Sequence, residues 1–128
     1  MLSKLTTGVM YARVKRNKIK LKNIKTQREI EEAAIPGFTT KRLLVGEFSI
    51  AEKLLSTMIK KLHDGWLTAT PTMIIHPLEM IEGGLSPVEE RLLIELSAGA
   101  GARKVHLWVG DQLSDEAVLK LSKEPMKK

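Results

Sequence analysis

The spacing of hydrophobic and polar positions changes several times along the chain, and each change marks an element. In 18–24, Ile19 and Leu21 alternate with Lys18, Lys20 and Lys22. That is the period of two of a half-buried strand, so the three lysines share one sheet face and the apolar pair turns to the core. The preceding stretch 8–14 carries the β-favouring Val9, Tyr11 and Val14, and Lys15-Arg16-Asn17 supplies a turn that would pair the two as a hairpin. A helical period begins at Ser49. Ala51, Leu54, Leu55, Met58, Ile59 and Leu62 form one stripe with Lys60 and Lys61 outside it, and Ser49 and Glu52 have capping-box spacing.

The run 72–76 is apolar without alternation between Pro71 and Pro77, as in a parallel strand covered on both faces. Ser86-Pro87-Val88-Glu89 combines an N-cap, a proline at the first helical position and a capping glutamate. It opens a helix to about Ala98 with Val88, Leu92, Leu93 and Leu96 facing inward. Gly99 and Gly101 end that helix before the β-like run 104–109, and Ser114 caps a short helix through Leu121. Two stretches are less distinct. Thr26 and Glu29 have capping spacing and Ile30, Ala33 and Ala34 share a helical face, but 26–35 is short enough to be either helix or strand, and 42–48 reads as extended.

The order is therefore a hairpin, a third strand, then α, β, α, β, α. This is an α/β chain with an antiparallel N-terminal meander beside parallel strands and about three main helices, matching a ribonuclease-H-like half-domain. With 128 residues, 43% of them apolar, one domain over 1–124 is expected, followed by a frayed basic tail at 125–128.

Composition narrows the chemistry. Without cysteine there is no disulfide framework, thiolate nucleophile or Cys-based zinc site. No apolar run approaches the roughly 20 residues of a membrane-spanning helix, and Met1 to Thr7 lacks the apolar stretch of a secretory signal. A cytoplasmic location is expected. The net charge of +6 favours acidic partners, with much of the excess between Arg13 and Arg28. Two Trp, two Phe and one Tyr make a poor stacking platform for single-stranded bases.

Three stretches resemble the rod-shape-determining bacterial actins of the actin and sugar-kinase superfamily. Leu44 through Leu55, followed by Ile59-Lys60-Lys61-Leu62-His63, is similar to the loop and first helix of that family, with its T-E-K-M-L and I-K-K-V-H. Pro87-Val88-Glu89-Glu90-Arg91, with Gly99-Ala100-Gly101-Ala102-Arg103-Lys104-Val105, is similar to its Q-V-E-R-R and G-A-G-A-R-E-V. Arg13-Val14-Lys15 with Ile19 to Asn23 more loosely resembles the opening hairpin. The resemblance implies an actin-like first subdomain, without its reaction centre. Lys4-Leu5-Thr6-Thr7-Gly8 stands where the family has D-L-G-T for magnesium and phosphate, and Val109 falls at the ungapped position of its hydrolytic glutamate. The second phosphate loop of the family has no counterpart in this sequence. Nuclease action on the same fold needs first-strand carboxylates to hold cations, and Met1 to Gln27 contains neither Asp nor Glu.

No metal or cofactor is expected. His63, His76 and His106 lack ligand spacing, and Ser97 has no evident His and acid partners. A small-molecule site, if present, belongs at the carboxyl ends of the parallel strands, which brings His76 and Asp111 near one edge. Trp108 reads as core and Trp66, in a polar loop, as an exposed anchor. The expected function is a non-catalytic module that binds another protein, cytoskeletal or itself. The alternative is a basic nucleic-acid-binding domain using Arg13, Lys15, Arg16, Lys18, Lys20 and Lys22 as phosphate contacts.

Overall fold

A computed structural model describes residues 8–63 and 70–125. The strands are β1 (Val9–Lys15), β2 (Lys18–Asn23), β3 (Glu29–Ala33), β4 (Thr72–Pro77) and β5 (Lys104–Leu107), and the helices α1 (Phe48–Leu62), α2 (Pro87–Gly99) and α3 (Asp115–Ser122). They form one mixed sheet in the order β3-β2-β1-β4-β5. β1, β2 and β3 pair antiparallel, and β4 lies parallel to both β1 and β5. This is the α/β arrangement expected from the order of elements. The ambiguous 26–35 contains β3, because its backbone completes the ladder on β2 rather than closing on itself.

Strand alternation divides the chemistry between two sheet faces. Met10, Ala12 and Val14 of β1, Ile19 and Leu21 of β2, and Met73 and Ile75 of β4 join the main core with Ala51, Leu55, Met58, Ile59 and Leu62 of α1 and Leu93 and Leu96 of α2. Each buried Val, Leu, Ile or Met side chain among these contributes roughly 1.5–3 kcal/mol. The opposite face carries a smaller cluster, Tyr11, Ile24, Ile74 and Val118, with Val9, Trp108, Leu113 and Leu121 packed against it under α3. β4 is buried at every position because helices cover both its faces.

Three expectations are corrected. α1 begins at Phe48 with Glu47 as its N-cap and no side-chain cap bond, which places Ser49 inside the first turn, so the Ser49/Glu52 capping box does not form. Of the stretch 42–48, 42–47 is a loop, pinned by the amides of Gly46 and Glu47 on the carbonyl of Phe38, each at 2.8 Å, and Phe48 already belongs to α1. Leu44 and Val45 of this loop, with Phe38 ahead of it, enter the core. Val88 is 73% exposed, because the turn of α2 that faces the sheet begins only at Leu92 and Leu93. The Ser86/Glu89 capping box does form, with Ser86 N–H donating to Glu89 at 2.9 Å and Glu89 N–H donating to Ser86 Oγ at 3.2 Å.

Candidate functional site

In an open α/β sheet, ligands bind in the crevice beyond the carboxyl ends of the parallel strands. Here that corner is filled from within. His76, near the end of β4, is fully buried, and its ring lies nearly parallel to that of Tyr11 of β1, with centroids 5.9 Å apart. Its Nε2 lies 2.8 Å from the carbonyl of Gly110 and its Nδ1 lies 2.7 Å from the Tyr11 hydroxyl. A carbonyl can only accept, so Nε2 carries the proton and Nδ1 accepts from Tyr11. The Tyr11 oxygen in turn accepts the N–H of Leu113 at 3.1 Å. One aromatic pair thus ties the first strand, the fourth strand and the loop after β5.

The backbone there suits only glycine. Gly110 has φ 149°, and a Cβ on it would stand 3.0 Å from the Trp108 ring. Trp108 lies just past β5, half-buried at the edge of the second cluster, and its Nε1–H donates to the carbonyl of Asp111 at 2.8 Å. His76 and Asp111 do come to the same corner, but only the histidine enters it. The Asp111 side chain is exposed. Burial holds His76 below the usual histidine range, reinforced by the Arg13 charge and opposed by the Gly110 carbonyl. Burial likewise raises the Tyr11 hydroxyl, against the Leu113 N–H and the Arg13 charge.

Beside this corner, the part of the face formed by β2 and β3 is a ladder of charges. Arg13 is only 8% exposed. Its guanidinium stacks 4.8 Å above the Tyr11 ring, pairs with Glu29 and donates to Gln112 at 3.1 Å, while its Nε is buried without a partner. Lys15 pairs with Glu31 at 3.1 Å, Arg16 with Glu79 at 3.4 Å, Lys20 with Glu29 at 3.9 Å and Lys22 with Asp115 at 2.9 Å. Lys15 holds the Glu31 carboxyl below its ordinary range, and Lys22 with Gln27 does the same for Asp115. Lys18 is exposed and stands in no ion pair among the described residues.

The fold therefore brings five of the sequence-predicted cations, Arg13, Lys15, Lys18, Lys20 and Lys22, onto one face, with Arg16 at the hairpin turn beside it. Of the carboxylates woven among them the sequence singled out Glu29 alone, and as a helix cap rather than as a partner of the basic face. Glu29 and Glu31 alternate along β3 as the lysines do along β2, which was the available signal. Tyr11 shares the parity of Arg13 on β1 and was readable in the same way. Trp66 lies outside the described residues, as does 4–7 of the segment compared with the phosphate loop. Val109 is 42% exposed. Ser97 is buried and its hydroxyl donates to the Leu93 carbonyl at 3.2 Å, within its own helix. His106 is buried with Nε2 unpartnered, and burial and Lys104 lower its pKa. Among the described residues no cluster of His, Asp or Glu could hold a metal ion, and no helix is long and apolar enough to cross a membrane.

No family model matches the chain. Over 65 residues it is 32% identical to the cell shape-determining protein MreB of Haemophilus influenzae, a partial likeness spanning 50% of this chain and 17% of that protein. Over 127 residues it is 36% identical to the uncharacterized protein YjaA of Escherichia coli strain K12, spanning 91% of this chain and 98% of that protein. Likeness at that level over nearly the whole of both sequences places the chain in the YjaA family.

Proposed function

We propose that this chain is a non-catalytic protein-interaction module built on a scaffold resembling the first subdomain of a bacterial actin, and that its partner is a protein of the cell-shape machinery. The observation that carries the reading is the filled corner. Where an α/β nucleotide site needs open space and backbone amides turned outward, Tyr11, His76 and the loop at 110–113 pack on one another and use their own polar groups. The partial likeness to a protein named for cell-shape determination supports the choice of partner class. The nucleic-acid alternative has less support. Phosphate contacts need available cations, and Arg13, Lys15, Arg16, Lys20 and Lys22 each stand beside a carboxylate.

Co-sedimentation of the purified chain with filaments of a purified bacterial actin, with and without ATP, tests the reading. The module is expected to pellet with the filaments and to release no phosphate from ATP above a buffer blank. ATP turnover by the chain alone, or absence from the pellet at tens of micromolar, would sink it. Binding to duplex DNA that weakens steeply between low and physiological salt would favour the alternative.

A further inference from the structure

A buried histidine of β4 and a lysine of β5 hold opposite ends of a single segment. His76 holds the loop that precedes α3 through the Gly110 carbonyl, and through Tyr11 it reaches the N–H of Leu113. At the other end Lys104 of β5 donates to the Ser122 carbonyl at 3.3 Å. Between these points, α3 rests on the sheet by a small apolar cluster distinct from the main core that joins α1, α2 and the other sheet face. We propose that residues 110–124 form an acid-released flap, held on the sheet at neutral pH by the uncharged His76 and lifted when that ring takes a proton.

The geometry accounts for the sensitivity. At His76 the arrangement accommodates only the neutral ring. Protonation would put a hydrogen on Nδ1, facing a hydroxyl that already donates to it and that accepts from Leu113. The Tyr11 proton would lose its acceptor in a buried site, which is costly. The charges around the ring do not compensate. From β1 comes the Arg13 guanidinium, whose nearest carboxylate, Glu29 of β3, is engaged with it and also near Lys20 of β2. From the segment itself come Gln112, held by Arg13, and Asp111, which is exposed. At His106 the Lys104 charge on the same strand opposes protonation, whereas Glu124 and the backbone of Ser122 and Glu124 favour it. The other polar ties of the segment are Asp115 with Lys22 and Gln27, and Lys104 with the Ser122 carbonyl. None of these groups has an ordinary pKa between about 5 and 8, so only the histidines titrate there.

Release would be confined to the flap because α3 has 8 residues. A helix far shorter than about 12 residues does not hold itself in water, so off the sheet it melts. The apolar surface then uncovered includes Tyr11, Ile74 and Trp108.

Hydrogen exchange of the full chain between pH 7.5 and 5.5, corrected for the intrinsic pH dependence of amide exchange, tests this. The opening constant of the α3 amides is expected to rise by up to about tenfold per pH unit below the ordinary histidine pKa through His76, while α1 (Phe48–Leu62) stays more strongly protected at every pH. Constant protection of α3, or loss of protection by α3 and α1 in parallel, would overturn the proposal. The variant His76→Gln keeps a donor toward Gly110 but cannot take a proton, and its α3 exchange is expected to lose that pH dependence. Should that variant fail to fold, imidazole titration of the unmodified chain by NMR decides. A His76 ring that gains a proton while α3 remains as protected as at pH 7.5 would refute the flap.

Discussion

The hydroxyl of Tyr11 donates to Nδ1 of His76 across 2.7 Å, joining residues 65 positions apart in the chain at the centre of the second core. The bond fixes the imidazole tautomer, because the other nitrogen must then face the Gly110 carbonyl. It also leaves the tyrosine oxygen free to accept from Leu113.

Tyr11→Phe removes that oxygen and leaves both Nδ1 of His76 and the N–H of Leu113 without their partner. The expected loss is about 1–3 kcal/mol, as for other buried groups left unsatisfied. Urea unfolding at pH 7.5 measures it. A change below about 0.5 kcal/mol would mean that water replaces the hydroxyl.

Stability should fall as the solution is acidified from pH 7 to pH 5. His76 and His106 both have pKa values lowered in the folded state, chiefly by burial. The unfolded chain therefore binds protons first. The stabilisation is complete above the ordinary histidine value of about 6.5 and is lost below it, down to the folded values, at up to roughly 1.4 kcal/mol per pH unit per group. Glu31 and Asp115 are also lowered, but as carboxylates their stabilisation is present above their unfolded values and is lost only at more acid pH. Urea midpoints at pH 7.5, 6.5 and 5.5 that do not move would contradict the neutral state assigned to the histidines.

Gly110→Ala should displace the carbonyl that His76 uses. A side chain at φ 149° is strained, and the new Cβ would press on the Trp108 ring from 3.0 Å. The expected cost is about 1–3 kcal/mol, accompanied by a shift in tryptophan emission. An unchanged spectrum and unchanged stability would show that the loop relaxes freely.

Two serines with the same sequence signature should behave differently. Ser86→Ala breaks a formed capping box at the start of α2 and is expected to cost about 1 kcal/mol. Ser49→Ala removes a side chain that caps nothing, because α1 starts one residue earlier, and should be close to neutral. Thermal unfolding of the pair decides, and equal losses would place Ser49 in the cap after all.

Much of the architecture follows from local patterns. Alternation in β2, the apolar stripe of α1, the unbroken apolar run of β4 and the Ser-Pro start of α2 each state their element, because period and capping are properties of neighbouring residues. The clustering of Lys18, Lys20 and Lys22 on one face is readable for the same reason. What the sequence by itself could not decide depends on partners distant in the chain. Whether 26–35 coils or extends was settled by the open edge of β2, and the start of α1 by a loop anchored on Phe38. The pairing of the basic face with Glu29, Glu31 and Asp115, and the burial of His76 against Tyr11, exist only once β1 lies between β2 and β4. Local sequence determined the elements and which way their side chains alternate. Tertiary structure alone decided which charges are neutralised and which histidines are dry, because both depend on what packs opposite them.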